Sequence, residues 1–408
     1  MPEPVPLLTD RYELTMLAGA VAGGLADRRA VFEVFCRRLP PGRRFAVAAG
    51  QGRLAGLLEA LVWDDTAMAA AEPLLEPRTL AWLDGRKPTP EVWSYPEGEV
   101  FVPGSPVLTV DGTFGDGLLL ETLSLSVLNH DSAIASAAAR MVLAAGDRPL
   151  IDMGSRRTHE RAAVAAARAA WIAGFAGTSN LAAGCLYGIP TFGTSAHAFV
   201  LAHESEREAF AAQVASQGTG TTLLVDTFSV LDGVRTAVEV AGPELRAVRI
   251  DSGELGPLAR EVRALLDALG ATGTRIVATS DLDEQQIAAL ADDPVDEYGV
   301  GTALVTGSGA PTAGLVYKLV AIEDDAGGMR PVAKRSPGKS TVSGRKWAYR
   351  DGTREVLRLA PGSGTPLQVP LVDDLAAARA RCARALAALP PEARDLSPGE
   401  PAWTAVPV

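Results

Sequence analysis

Three aspartates, Asp226, Asp251 and Asp281, each follow a short apolar run and precede a helix-like segment. The runs are TLLVDTF, RAVRIDSGE and RIVATSDLDE. Because the carboxyl ends of parallel strands meet at one face, we expect the three carboxylates to converge there. Converging carboxylates need positive charge nearby. Candidate cations are Arg156, Arg157, Arg249 and Lys318. A divalent ion is the other possibility, since Mg²⁺ prefers carboxylate and polyphosphate oxygens together.

Each of these carboxylates also has a simpler interpretation. An aspartate after a strand often only caps the next helix, which is a real alternative for Asp281. Arg249 and Asp251 lie two residues apart on one side of a strand, and the alternative there is a structural ion pair.

The four histidines are His130, His159, His197 and His203. His197 ends the run IPTFGTSAH beside Thr194 and Ser195, which predicts an imidazole over the mouth of a barrel. The other three lie in helical or charged stretches, and we expect them to be structural.

Two glycine-bearing turns, DSGEL and YGVGT, lie near predicted helix starts. Backbone N–H groups in such turns hold anions without any side-chain charge. Each turn alone is weak support, but two on adjacent strand ends, near arginines, indicate a substrate with more than one phosphate group.

The elements that must position these residues form a repeated βα series. PLIDMG, YGIPTFGTSAH and EYGVGTAL add three units to the three runs above, and the helix-like segments have apolar residues at helical spacing. Six such units predict a parallel α/β barrel with its site at the strand carboxyl ends. An open doubly wound sheet is the alternative, but no G-x-G-x-x-G follows the first strand of any unit.

The flanking regions have a different pattern. Residues 1–120 contain Pro/Gly-rich strand pairs typical of an antiparallel domain. We assign residues 121–334 to the barrel and residues 335–408 to a C-terminal segment that packs on the N-terminal domain. The basic run RSPGKSTVSGRK opens this segment; it could close over phosphates, but a solvated loop is favoured.

Composition excludes several classes of protein. The chain has 408 residues, 47% hydrophobic and 21% charged, which is globular composition. Its net charge of −11 argues against binding nucleic acid, which needs a basic face. The three cysteines form no Cys or Cys/His cluster, which favours a reducing compartment. No export signal or membrane span is apparent, so we expect a cytoplasmic protein.

Taken in order, these motifs resemble the nicotinate phosphoribosyltransferase family over most of the chain. The matching strings are TDRYELTM, FEVFCRRLP, DMGSRRTHERAA, FAGTSNLAAGCLYGIPTFGTSAH, LLVDTFS, VRIDSGEL, TSDLDE, YGVGTALVTGSGAP and YKLV. The resemblance implies a type II phosphoribosyltransferase fold, an irregular α/β barrel with an N-terminal mixed α+β sheet domain. It also implies a head-to-tail homodimer with shared active sites.

The resemblance implies roles for individual residues. Tyr12, in a TDxYxL motif that begins at Thr9 and includes Asp10, would stack on the pyridine ring across the dimer interface. Arg156 would bind the nicotinate carboxylate. Asp251, Ser252 and Gly253 would contact ribose and pyrophosphate. The 5′-phosphate would lie against Ser280, Asp281, Gly299, Gly301 and Thr302, and Thr194 and Ser195 would line the substrate site.

His197 matches the family histidine that ATP phosphorylates. The implied catalytic residues are therefore His197, Asp251 and Arg249, with His197 modified to phosphohistidine. ATP is the implied co-substrate and Mg²⁺ the implied cofactor, and the reaction makes nicotinate mononucleotide for NAD biosynthesis.

Two positions depart from the related nicotinamide enzyme. That enzyme has an aromatic residue in place of Met153, and an aspartate in place of Asn180 that accepts a hydrogen bond from the substrate amide. Because Asn180 carries no charge to repel an acid, it favours nicotinate. The alternatives are transfer to nicotinamide or quinolinate, and a non-catalytic sensor of the mononucleotide.

Overall fold

The computed structural model describes residues 4–334, 342–351 and 354–407, which fall into two compact units. One unit comprises Met1–Ser136 and Ala310–Val408, and the other comprises Ala137–Gly309. In the described part of the chain, no helix has the length and apolar character needed to cross a membrane. Cys36 and Cys382 are buried, Cys185 is exposed, and all three are free thiols.

The amino-terminal part of the first unit alternates short strands with helices. Its elements, up to the helix that continues into the second unit, are α1 (Arg11–Ala22), β1 (Arg29–Cys36), β2 (Ala46–Val47), α2 (Gln51–Glu59), α3 (Asp65–Ala71), α4 (Pro77–Leu83), β3 (Glu91–Ser94), β4 (Val100–Phe101), β5 (Leu108–Thr113), α5 (Phe114–Leu119) and α6 (Glu121–Ala145). Short 3₁₀ turns occur at Val5–Leu7 and Glu72–Leu74.

The second unit contains the βα series. Its elements are β6 (Leu150–Asp152), α7 (Glu160–Ala173), β7 (Gly177–Thr178), α8 (Leu181–Tyr187), α9 (His197–Leu201), α10 (Glu206–Gln217), β8 (Thr222–Leu224), α11 (Val230–Ala241), β9 (Ala247–Ile250), α12 (Leu255–Ala268), β10 (Arg275–Ala278), α13 (Glu284–Ala289), β11 (Glu297–Val300) and α14 (Thr302–Val305).

The carboxy-terminal part returns to the first unit. Its elements are β12 (Leu315–Glu323), β13 (Met329–Pro331), β14 (Trp347–Asp351), β15 (Arg354–Arg358), β16 (Val369–Pro370), α15 (Leu375–Ala387), α16 (Pro391–Arg394) and β17 (Thr404–Pro407). Residues 335–341 of the basic run lie outside the described residues, and so does the prediction of a solvated loop there.

The first unit contains a six-stranded sheet in the order β13-β12-β1-β5-β3-β16, a three-stranded sheet β14-β15-β17 and the pair β2-β4. Both β12 and β5 pair antiparallel with β1, and β16 pairs antiparallel with β3. The prediction that the tail rejoins an N-terminal sheet is therefore confirmed. In the core, Phe32 stacks on Tyr317 with ring centroids 5.0 Å apart.

The unit boundaries differ from those assigned at residues 120 and 334. Helix α6 is continuous across Ser136, and strand β12 belongs to the first unit because it pairs with β1. The second difference comes from long-range strand pairing, which a local sequence pattern does not encode.

The six strands of the second unit are parallel, in the order β7-β6-β11-β10-β9-β8. Edge strands β7 and β8 do not pair with each other, so the sheet curls into an open half-barrel. Helix α11 approaches the end of β8 closely at Gly233, where a Cβ would lie 2.4 Å from the carbonyl oxygen of Val225. This contact fixes the chain just before Asp226.

One predicted strand is wrong. The segment IPTFGTSAH forms only an isolated bridge between Thr191 and Thr178, and the edge strand is Gly177–Thr178. Pro190 has no N–H to donate to a sheet, and its carbonyl accepts from Thr178 N instead. Three helices, α8, α9 and α10, therefore separate β7 from β8.

Candidate active site

A cavity of about 530 Å³ opens at the carboxyl ends of the parallel strands. All the residues that line it belong to the second unit. They are Met153, Ser155, Arg156, Arg157, Ser179, Phe192, Gly193, Thr194, Ser195, Ala196, His197, Leu224, Arg249, Asp251, Thr279, Ser280, Asp281, Gly299, Gly301 and Thr302.

His197 begins helix α9 at the edge of this cavity, and 44% of its side chain is exposed. Its Nδ1 lies 3.1 Å from Thr227 Oγ1. Its Nε2 lies 3.9 Å from Asp226 Oδ1 and 4.0 Å from Asp251 Oδ2. The imidazole is thus fixed through one nitrogen and turns the other toward two carboxylates.

Asp226 is the buried member of this pair, with 1% of its side chain exposed. Its Oδ2 accepts hydrogen bonds from Asp251 N at 3.1 Å and Ser252 Oγ at 2.7 Å. Its Oδ1 is buried and accepts none from the described residues. Burial, followed by the charges of Asp232 and Asp226, raises the pKa of nearby Glu206 to about 7. Asp226 and Asp251 are thus the carboxylates that lie beside Nε2 of His197.

Arg249 supplies the compensating charge, and 11% of its side chain is exposed. Its Nη2 lies 3.1 Å from Asp251 Oδ1, Nε donates to Thr279 Oγ1 at 2.8 Å, and Nη1 donates to Thr194 Oγ1 at 2.8 Å. The Thr279 hydroxyl also donates to Asp251. The predicted pair of Arg249 and Asp251 is present, and it is held in a network that faces the cavity.

The backbone of the predicted phosphate turns has unusual conformations. Ser280 has a φ of 122°, which residues other than glycine rarely adopt. Gly253 has a φ of 86°. Such strain persists only where the surroundings impose it. At Gly299 a Cβ would lie 2.6 Å from Met153 Sδ and 2.6 Å from Thr279 Cγ2, so this turn requires glycine.

Asp281 lines the cavity rather than capping a helix. Asp283 is the N-cap of α13 and forms a capping box with Gln286. The capping alternative for Asp281 is therefore wrong.

A buried carboxylate that the sequence analysis missed organises the other side of the cavity. Asp152, at the end of β6, accepts hydrogen bonds from Gly154 N at 2.9 Å and Thr178 Oγ1 at 2.6 Å. Burial raises its pKa, and these two hydrogen bonds oppose the shift. Asp152 thereby ties the loop that carries Arg156 to the end of β7.

Asn180 does not line the cavity itself. Its Oδ1 accepts from Ala183 N at 2.9 Å as the N-cap of α8, and its Nδ2 donates to Ser155 Oγ at 3.1 Å. Ser155 does line the cavity, so Asn180 acts on the site through that hydroxyl.

The remaining predicted residues lie outside this lining. Ser252 and Gly253 follow Asp251, and Ser252 is bound to Asp226. Asp10 and Tyr12 lie at the start of α1 in the first unit, where Tyr12 is 45% exposed. Burial, then the charges of Glu121 and Glu13, raise the Tyr12 pKa to about 12.

Lys318 is the candidate cation that does not belong to the second unit. Lys318 lies on β12 in the first unit, where its register partner on β1 is Glu33.

An open parallel half-barrel with arginines and glycine-bearing turns at the strand carboxyl ends, in one chain with an antiparallel sheet unit, is the fold of the type II phosphoribosyltransferases. Residues 7–129 match the model of the nicotinate phosphoribosyltransferase N-terminal domain. Nicotinate phosphoribosyltransferase pncB1 of Mycobacterium tuberculosis is 54% identical over 428 residues, covering 98% of this chain and 94% of that protein.

Solved structures agree. A crystal structure of human nicotinic acid phosphoribosyltransferase matches with a TM-score of 0.81 and 27% identity, covering 98% of this chain and 97% of the other. A structure of nicotinate-nucleotide pyrophosphorylase from Pyrococcus furiosus has a TM-score of 0.77 and 25% identity, covering 95% and 96%. The chain belongs to the nicotinate phosphoribosyltransferase family.

Proposed function

We propose that this protein joins nicotinate to 5-phosphoribosyl-1-pyrophosphate, giving nicotinate mononucleotide and pyrophosphate for NAD biosynthesis. The observation that carries the proposal is the cavity at the strand ends, which brings anion-binding turns, Arg156 and the Arg249–Asp251 network together. Its relative pncB1 is named for this reaction.

Arg156 is the proposed partner of the nicotinate carboxylate. It is exposed and lines the cavity, and its guanidinium has no ion-pair partner among the described residues. A guanidinium presents a planar fork that matches a carboxylate. Met153 lies beside this loop and offers a polarizable thioether to the ring.

The ribose and phosphates are assigned to the carboxyl ends of β9, β10 and β11. Asp251, with Ser252 and Gly253, would hold the ribose and pyrophosphate, and the turns at Ser280–Asp281 and Gly299–Thr302 would hold the 5′-phosphate. Transfer passes through an oxocarbenium-like state at C1, so the protein needs only to hold the ring nitrogen against that carbon and stabilise departing pyrophosphate.

ATP is proposed to couple to this transfer through His197. With Nδ1–H donating to Thr227 Oγ1, Nε2 carries the lone pair that attacks the γ-phosphorus. The bond between that phosphorus and the bridging oxygen breaks, and ADP leaves. Hydrolysis of the phosphohistidine then favours the direction that releases pyrophosphate.

Mg²⁺ is the proposed cofactor, and the residues present fit it. Asp226 Oδ1 is a buried acceptor without a hydrogen bond from the described residues, beside the proposed pyrophosphate contacts. The described residues contain no group of three or more metal-ligating side chains, so the ion would be held mainly by substrate phosphates and water, as Mg²⁺ commonly is. When bound, it would neutralise charge on the departing pyrophosphate.

A homodimer with shared sites is also proposed. Tyr12 and Met16 lie four residues apart on α1 and are both exposed, which gives this helix an exposed apolar stripe. Leu8, in the turn before the helix, is exposed as well. A second copy of the chain would cover this stripe and receive Tyr12 in its cavity. Cross-linking or sedimentation of the purified protein tests the dimer.

We expect Asn180→Asp to weaken discrimination for nicotinate over nicotinamide. The carboxylate keeps the N-cap of α8 but places negative charge behind Ser155, at the proposed carboxylate pocket. The ratio of kcat/KM for nicotinate to that for nicotinamide should fall about tenfold. Asn180→Ser keeps the cap without the charge and serves as the control; an unchanged ratio in Asn180→Asp would contradict the assignment.

The proposed function is tested by incubating purified protein with 5-phosphoribosyl-1-pyrophosphate, Mg²⁺ and each of nicotinate, nicotinamide and quinolinate. We expect nicotinate mononucleotide, with one pyrophosphate released for each. Preferential use of nicotinamide or quinolinate would change the substrate, and binding of the mononucleotide without any transfer would indicate a sensor.

A further inference from the structure

Phe192 is the one aromatic side chain among the described residues that line the cavity. It is 42% exposed, so part of its ring is accessible to a ligand in the cavity. Met153, Ser155 and Arg156 line the same cavity as Phe192. An aromatic face is thus present in the same cavity as the cation proposed for the carboxylate.

The backbone around Phe192 fixes where the ring lies. Phe192 N donates to the Thr178 carbonyl at 2.9 Å, and Thr178 N donates to the Pro190 carbonyl at 3.0 Å. These two bonds hold residues 190–192 against the edge strand β7. The ring is therefore anchored to the half-barrel through main-chain contacts rather than through a flexible loop.

Gly177 allows the ring to lie directly on that strand. A Cβ at Gly177 would approach Phe192 Cε2 to 2.5 Å and Cδ2 to 2.6 Å, closer than real contacts permit. Any other residue at 177 would therefore displace the ring. Gly177 therefore leaves the space that the Phe192 ring occupies beside the strand.

Apart from the Tyr12 proposed to come from a second copy, Met153 offers the ring of a substrate only a soft contact. Its Sδ and Cε pack beside Gly299, so its position is set by that glycine. A planar pyridine ring gains more from an aromatic partner in an offset or edge-to-face arrangement than from a thioether.

We propose that Phe192 is a specificity-determining residue, forming an aromatic wall against which the ring of the planar acid substrate packs while Arg156 binds its carboxylate. This inference rests on the proposed function, because it takes the substrate to be an aromatic carboxylate. The related nicotinamide enzyme has an aromatic residue in place of Met153. In this chain, Phe192 would supply an aromatic contact to the substrate ring instead.

The first test compares Phe192→Leu with Phe192→Tyr in full-length protein. We expect Phe192→Leu to raise the KM for nicotinate about tenfold, with kcat and the KM for 5-phosphoribosyl-1-pyrophosphate changed less than about twofold. Phe192→Tyr retains the ring and should stay within about twofold of wild type. Phe199→Leu, in which a phenylalanine of similar exposure outside the cavity lining is changed, is the matched control.

The second test separates ring stacking from general packing. Benzoate and cyclohexanecarboxylate have the same charge and similar size, so the ratio of their inhibition constants against nicotinate measures the preference for an aromatic ring. Wild type and Phe192→Tyr should prefer benzoate. In Phe192→Leu the ratio of the two inhibition constants should shift about fivefold against benzoate. A residue with only a structural role would weaken both inhibitors equally.

The outcomes distinguish this inference from the function beneath it. If wild type converts nicotinate but Phe192→Leu keeps both its KM for nicotinate and its preference for benzoate, the wall is not Phe192 and the inference fails while the function stands. If wild type converts no aromatic acid, the proposed function is wrong, and the role of Phe192 that rests on it is wrong as well. Equal melting temperatures of the variants exclude misfolding as the cause of a raised KM.

Discussion

Arg249→Ala is expected to lower kcat/KM for mononucleotide formation by about a thousandfold. The substitution leaves Asp251 without its cation and removes the donors to Thr194 and Thr279. Losing one partner of a largely buried ion pair costs about 3 to 5 kcal/mol. Because Asp251 faces both the cavity and His197, the loss should appear in catalysis as well as in stability.

A graded series makes this prediction specific. Arg249→Lys keeps the charge but cannot make three divergent contacts, so we expect an intermediate loss of about tenfold to a hundredfold. Arg235→Ala removes an exposed pair with Asp232 on helix α11, and its rate should stay within about twofold of wild type. Steady-state kinetics at saturating 5-phosphoribosyl-1-pyrophosphate supply the comparison. A kcat/KM of Arg249→Ala within tenfold of wild type would show that this network does not contribute to catalysis.

Lys346→Met is expected to destabilise the first unit by about 3 kcal/mol near pH 8. Lys346 Nζ lies 2.6 Å from Glu33 Oε2, the Glu33 side chain is fully buried, and 5% of the Lys346 side chain is exposed. The same ammonium donates to the carbonyls of Val342 and Gly344 at 2.9 Å. The pair thus anchors the segment that leads into β14.

The pH dependence of this effect has a definite sign. Burial raises the pKa of Glu33, and the Lys346 charge opposes that shift. Without Lys346 the folded state binds a proton more readily than the unfolded chain does. The stability of the variant should therefore fall as pH rises above about 4.5, the ordinary range of a glutamate pKa.

Urea unfolding of Lys346→Met at pH 5 and pH 8 measures this effect, with exposed Lys87→Met as the control. The double variant Glu33→Leu/Lys346→Met removes both charges and should recover most of the loss, since an apolar pair can replace a buried ion pair. Equal destabilisation by the single and double variants would mean that the buried charge is not the cause.

Much of the site could be predicted because its signals are local. A strand, a polar residue and a turn occur within a few positions, so Asp226, Asp251 and Asp281 could be placed at strand ends from periodicity alone. The same is true of His197, whose position at the mouth survives even though the segment before it is a single bridge rather than a strand.

What the sequence could not supply is side-chain geometry across strands. Thr279 contacts both Arg249 and Asp251 because β9 and β10 lie side by side. The sequence pattern within either strand does not predict that contact. Asn180 was expected to face the substrate, but it contributes to the N-cap of α8 and holds Ser155 instead. Asp152 gives no sequence signal beyond its place at a strand end.

Long-range pairing accounts for the remaining differences. Lys318 is a candidate cation on charge alone, and it lies on β12, which joins the sheet of the first unit through β1. Phe192 escaped notice because its role depends on the glycine at position 177, and the contact between them arises only after the chain has turned through α8.

The most direct test of the account measures ADP formed per nicotinate mononucleotide, in wild type and in His197→Ala, with nicotinate, 5-phosphoribosyl-1-pyrophosphate, Mg²⁺ and ATP present. We expect wild type to form both ADP and nicotinate mononucleotide, and we expect ATP to increase the yield of mononucleotide. His197→Ala should still form mononucleotide at a residual rate, without ADP and without any effect of ATP. If the variant forms ADP in the same ratio as wild type, His197 is not the phosphoryl acceptor; if wild type forms no mononucleotide, the proposed function is wrong.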